Sequence, residues 1–119
     1  TPSNSSAASD VYKRQMVEAD VLVLATPVYF YSMDGQLKTL IDRTLPRYTE
    51  IRDKEVYFIA TAAAGRGAME RTVDAMRGFT DCLPGVQVKG TVYGSGVYQK
   101  GEVMDTKAFQ EAYQLGKKV

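Results

Sequence analysis

Apolar residues fall along this chain in two alternating patterns. Val21-Leu22-Val23-Leu24-Ala25 is an unbroken apolar run, and Val56-Tyr57-Phe58-Ile59-Ala60 is a second. Runs of this length without alternation predict strands covered on both faces, as in a parallel sheet under helices. Thr26-Pro27 is read as ending the first, since proline has no N–H to donate. Between the runs the spacing becomes helical. Leu37, Leu40, Ile41 and Leu45 form an i, i+3, i+4, i+8 stripe that Ser32 or Asp34 can cap and Pro46 ends. Met69, Val73, Met76, Phe79 or Thr80 and Leu83 repeat the pattern, closed by Pro84-Gly85. A third strand follows at Val88–Tyr93, then Gly94-Ser95-Gly96 and a last helix over Asp105–Lys117 carrying Ala108, Ala112 and Leu115.

The strand centres lie about 35 residues apart, the length of one strand–helix–strand unit. The expected fold is therefore a parallel α/β sheet. Right-handed crossovers place both crossover helices on one face of three strands laid down in one direction. Only the last helix can then cover the other face. The first strand, apolar throughout, would lie at an exposed edge where it invites mispairing. These two tensions point to the C-terminal portion of a larger domain. Residues 16–119 are assigned to that portion, and Met16–Asp20 to the last turn of a helix entering the first strand. Residues 1–15, small and polar at their start, are expected to be a disordered or foreign segment.

Composition narrows the chemistry. Of 119 residues, 15 are Lys or Arg and 14 are Asp or Glu, a net charge of +1. That balance argues against nucleic-acid or membrane-surface partners, which would require a basic excess. The longest apolar run is about half the ~20 residues of a spanning helix. With no His and one Cys, imidazole catalysis, Ser-His-Asp and Cys-His nucleophiles, CxxC redox pairs and cysteine zinc sites are all excluded. An enzyme with this composition draws its reactivity from a cofactor or from carboxyl, hydroxyl, Lys or Arg groups. In a parallel sheet the place to look is beyond the carboxyl ends of the strands. Three loops leave those ends: Thr26–Met33, Thr61–Gly67 and Gly94–Lys100. The first offers Tyr29, Phe30 and Tyr31 beside a helix N-terminus with free N–H groups, a setting that suits a flat ring with a polar rim.

Those residues carry a family resemblance. Ala19–Met33, followed by Gln36-Leu37-Lys38 and Leu40-Ile41-Asp42-Arg43, resembles the flavodoxin-like NAD(P)H-dependent FMN oxidoreductases, with their "TPVYxxS" loop and "LKxxIDR" helix. The likeness runs on through Tyr57-Phe58-Ile59, Met69–Thr72, Arg77–Thr80 and Cys82–Gly85, and covers about residues 16–119. The family's first strand and its "GSPRxxGxS"-like phosphate loop do not occur in these 119 residues, and the cysteine cluster that some relatives use for an iron–sulfur centre belongs to that same preceding portion. The resemblance implies a flavodoxin-like three-layer parallel sheet, truncated to its last three strand–helix units. It implies FMN as cofactor and NAD(P)H as reductant. Pro27, Val28, Tyr29, Phe30, Tyr31 and Ser32 would lie against the flavin ring, with Ala62, Ala63 and Gly65 lining it from the second loop. Hydride would pass from the nicotinamide through flavin to a small acceptor such as a quinone or nitroaromatic, in a cytoplasmic protein with a homodimer as an allowed assembly. A flavodoxin-like electron carrier or FMN-binding module, and a truncated fragment without cofactor affinity, are the competing readings.

Several features also have plainer explanations. Tyr29-Phe30-Tyr31 would serve equally as core or as a dimer contact. Gly65-Arg66-Gly67 starts a G-x-G-x-x-G pattern, but Glu70 occupies the third glycine position; Arg66 is available to neutralise a reduced flavin or a nicotinamide phosphate. Cys82 reads as a buried structural thiol, and Lys38, Asp42 and Arg43 as a solvated, locally paired helix face. Gly94-Ser95-Gly96 with Tyr98 reads as either a mobile lid or a subunit contact.

Overall fold

The computed structural model describes residues 4–119. Residues 1–3, part of the segment expected to be disordered or foreign, lie outside the described residues. The elements are α1 (Asn4–Glu18), β1 (Val21–Pro27), α2 (Gly35–Arg43), β2 (Glu55–Thr61), α3 (Arg66–Asp81), β3 (Gln87–Gly94) and α4 (Lys107–Gly116), with 3-10 turns at Leu45–Glu50 and Glu102–Asp105. The strands are parallel in the order β1-β2-β3.

The first helix differs from expectation. It begins at Asn4, so a helix stands where disorder was expected over residues 4–15. Its later turns hold strong helix formers, Lys13, Arg14, Gln15, Met16 and Glu18. Met16 is buried in the core, and the half-buried Val17 and Ala19 pack against it. The buried Lys54 donates from Nζ to the Val17 carbonyl at 2.6 Å, satisfying a carbonyl of the last turn.

One sheet face forms the main core. Leu22 and Leu24 of β1, Val56, Phe58 and Ala60 of β2, and Met69, Val73 and Met76 of α3 are buried together, with Leu37, Leu40 and Ile41 of α2 packed against them. Both crossover helices thus lie on the same face, as right-handed connections require. α4 covers the opposite face over β3 and β2. A Cβ at Gly90 would come within 3.2 Å of both Leu115 and Tyr57, so glycine admits the helix close to the sheet there. A bulge skips Lys89, pairing Val56 with Val88 but Tyr57 with Gly90. This reverses the alternation, so Val88 and Tyr93 pack with the main core while Val92 turns toward α4.

The opposite face of β1 is not covered. Val23 is 55% exposed and Ala25 is exposed, although the apolar run predicts cover on both sides. Other boundaries shift modestly. β1 continues through Thr26-Pro27 instead of ending there, and Pro27 pairs with Thr61; this is tolerated because β1 is an edge strand at its last residue. Pro46 starts a 3-10 turn after α2, leaving Leu45 71% exposed instead of on the core stripe. Cys82, read as buried, is exposed at the C-terminus of α3.

Candidate functional site

Parallel register brings the three loops side by side at the carboxyl edge. Val28 N–H donates to the Thr61 carbonyl at 2.9 Å, Ala62 N–H to Gly94 at 2.9 Å, and Val97 N–H to Ala62 at 3.0 Å. Pro27, Val28 and Ala62 are therefore drawn together, with Ala62 buried as the hinge between loops. Ala63 and Gly65 are exposed beyond it, leading into α3. At Gly65 an added Cβ would meet nothing within 4 Å, so the approach to this edge is open.

The first loop is a two-residue hairpin. Tyr29 and Ser32 exchange both backbone hydrogen bonds, at 3.0 and 3.1 Å. The central residues Phe30 and Tyr31 have φ of 52° and 62°, the signs of a type I′ turn that ordinarily uses Asn-Gly. An aromatic residue held there is strained, and such strain gathers at ligand sites. Tyr29, Phe30 and Tyr31 are all exposed, Phe30 completely, which removes the reading of these rings as core. Thr26 fixes the base of the hairpin: its buried hydroxyl accepts from Asp34 N–H at 3.0 Å and donates to the Pro27 carbonyl at 2.7 Å.

The helix ends differ from expectation. The N-terminus of α2 does not offer free N–H groups as a whole, because Asp34 caps it and its carboxylate accepts from Leu37 N–H at 2.8 Å. α3, by contrast, starts at Gly65 with no side-chain cap. Two arginines of α3 reach aromatic rings of neighbouring segments, one in β3 and one in the first loop. The Arg66 guanidinium lies 4.3 Å from the centroid of the Tyr93 ring and pairs with Glu70 at 3.4 Å. The Arg71 guanidinium lies 4.8 Å over the Tyr31 ring. The third loop is closed by Glu102, whose carboxylate accepts from Tyr98 N–H at 2.8 Å and Gln99 N–H at 2.9 Å. These bonds, that from Gln99 first, hold its pKa below the ordinary carboxylate value.

Thr26, Arg71 and Tyr93 are absent from the residues that sequence reasoning selects. Thr26 was visible as the first letter of the loop motif. Arg71 lies within the family-like stretch Met69–Thr72, but neither it nor Tyr93 is marked as a contact, because their contacts depend on how α3 crosses the sheet. A hollow of about 470 Å³ touches the edge at Ser32 and runs between α2 and α3 past Lys38 and Gly78. A hollow of about 410 Å³ between α1 and α2 lies away from the loops.

The residues fit one side of a flat heteroaromatic ring. They provide exposed aromatic faces, backbone groups along the turn, and small residues opposite. The parallel sheet, with both crossover helices on one face and α4 on the other, defines a flavodoxin-like α/β domain. The chain belongs to the NADPH-dependent FMN reductase family, which matches residues 3–99. An iron-sulfur flavoprotein of Archaeoglobus fulgidus is 34% identical over 118 residues, covering 92% of this chain and 49% of that protein. The chain thus spans about half the length of this curated relative. Among solved structures, the Trp repressor binding protein from Bacillus subtilis superposes with a TM-score of 0.76 at 24% identity, over 90% of this chain and 69% of that one. Azoreductase AzrA matches with a TM-score of 0.76 at 22% identity, over 95% and 63%. Among the described residues no group of three His, Cys, Asp or Glu could hold a metal ion. No helix among them is long and apolar enough to cross a membrane.

Proposed function

We propose that this chain forms the ring-binding side of an FMN-dependent oxidoreductase that uses NAD(P)H to reduce a small acceptor such as a quinone or nitroaromatic. The observation that carries this reading is the strained hairpin that holds Tyr29, Phe30 and Tyr31 in solvent. FMN, when bound, supplies the redox chemistry by taking up a hydride and passing it on. The protein's part is to bind and orient. Tyr29 and Phe30 offer faces for stacking. Backbone groups of Pro27–Ser32 meet the polar rim, and Ala62, Ala63 and Gly65 let the ring approach from the second loop. The uncapped start of α3 and Arg66 favour negative charge that develops nearby. Residues 16–119 form the C-terminal part of a flavodoxin-like domain in this reading, supported by the bare face of β1. The net charge of +1 favours a small molecule over nucleic acid or a membrane as partner, in the cytoplasm.

Anaerobic spectrophotometry tests the proposal. The purified chain should take up FMN, shifting its visible bands, and NADPH should then bleach them. Failure to take up FMN contradicts the reading. A flavin-loaded protein that NADPH leaves yellow supports an electron carrier instead.

A further inference from the structure

We infer that Arg71 is a positioning residue that holds the aromatic hairpin of the first loop in its ligand-ready shape through the Tyr31 ring. The inference rests on the functional reading above for its purpose, but its geometry is independent of it. Tyr31 is one of two aromatic residues at positive φ in the turn. Phe30 has no support, being wholly exposed. Within the hairpin, the Tyr29–Ser32 hydrogen bonds close the turn, and Thr26 anchors its base. The contact that reaches the tip from another element comes from α3, where the Arg71 guanidinium sits 4.8 Å from the Tyr31 centroid. That distance lies within the ~6 Å range of a cation–π interaction. Arg71 stands on the exposed side of a helix whose other side is anchored by the buried Met69, Thr72, Val73 and Met76. The guanidinium is therefore mounted on a rigid element. With Tyr31 fixed on this side, Tyr29 and Phe30 remain free for a ligand. Arg71 is thus assigned to the hairpin through its contact with Tyr31.

The test is limited chymotrypsin digestion of the ligand-free chain, with cuts after Phe30 and Tyr31 quantified by mass spectrometry, alongside FMN titration. Arg71→Met keeps the aliphatic stem and removes the charge. It should raise cleavage at the hairpin about two- to fivefold and weaken FMN binding by a similar factor, the range expected for an exposed cation–π contact. Arg71→Lys should restore most of both, which a purely steric role would not. Tyr31→Leu, which keeps bulk and removes the ring, should make Arg71→Met silent in the double variant. Unchanged cleavage in Arg71→Met overturns the inference, and so does raised cleavage with unchanged FMN affinity. Cleavage is read without ligand, so a wild-type chain that binds no FMN overturns the functional reading while digestion still decides the contact.

Discussion

At the scale of single residues, Phe30 and Tyr31 set stability against binding. A left-handed conformation costs a non-glycine residue about 1–2 kcal/mol, and an exposed phenylalanine forgoes the about 1.5–3 kcal/mol that burial contributes. A hairpin selected for stability alone would use glycine. Phe30→Gly should therefore raise the thermal midpoint by about 3–5 °C, the shift expected for roughly 1 kcal/mol in a domain of this size. The same change should weaken FMN binding about tenfold through loss of a stacking face; calorimetry and fluorescence titration measure both. Glu102 sets a pH dependence in the third loop. Its folded pKa is lowered by the Gln99 and Tyr98 N–H groups, so its contribution is fully present above the unfolded value of about 4.3 and is lost as pH falls through the folded value. Amide exchange at Tyr98 and Gln99, corrected for intrinsic rates, should quicken in acid below that range. Glu102→Gln should remove most of this pH dependence.

At the scale of elements, the connections impose sharp constraints. Asp53 and Gly85 both have positive φ, and Asp53 N–H donates to the Pro84 carbonyl at 2.8 Å where the end of α3 meets the start of β2. A Cβ on Gly85 would fall 2.1 Å from Asp53 Oδ1. The exposed Asp53 side chain can swing aside, so Gly85→Ala should cost about 1–2 kcal/mol, read by urea denaturation, chiefly through the positive-φ penalty. Asp34→Ala should cost about 1 kcal/mol through the lost α2 cap. The strands and α3 were legible in the sequence because their apolar periods are strong. Local pattern could not show the reversal at Lys89, since a bulge leaves composition unchanged and alters only which side chains share a face. The polar start of α1 gave no burial signal, and its helix rests on later residues such as Met16. The first loop was legible as an aromatic turn leaving the end of β1, from its composition and the motif around it. Its I′ geometry was not, because Phe-Tyr contradicts the residue preference of that turn.

At the scale of the whole molecule, the three-strand sheet is asymmetric. β3 has α4 packed over it, while β1 presents a free edge and a bare face at Val23 and Ala25. A seven-residue edge strand without charge is a template for pairing. The isolated chain should therefore self-associate with rising concentration in sedimentation experiments, and Val23→Lys should suppress this without moving the loops. The handedness of the crossovers explains why helices crowd one face. The parallel pairing brings the carboxyl ends of all three strands to one edge, where the three loops lie side by side. In the proposed function this edge receives the flavin ring. Nuclear magnetic resonance mapping of backbone amides during FMN titration tests it most directly. The largest shifts are expected at residues 28–32 and 62–65, reproduced by riboflavin, which keeps the ring and lacks the phosphate. Saturable shifts confined to other surfaces, or none at these loops while FMN binds, would contradict it.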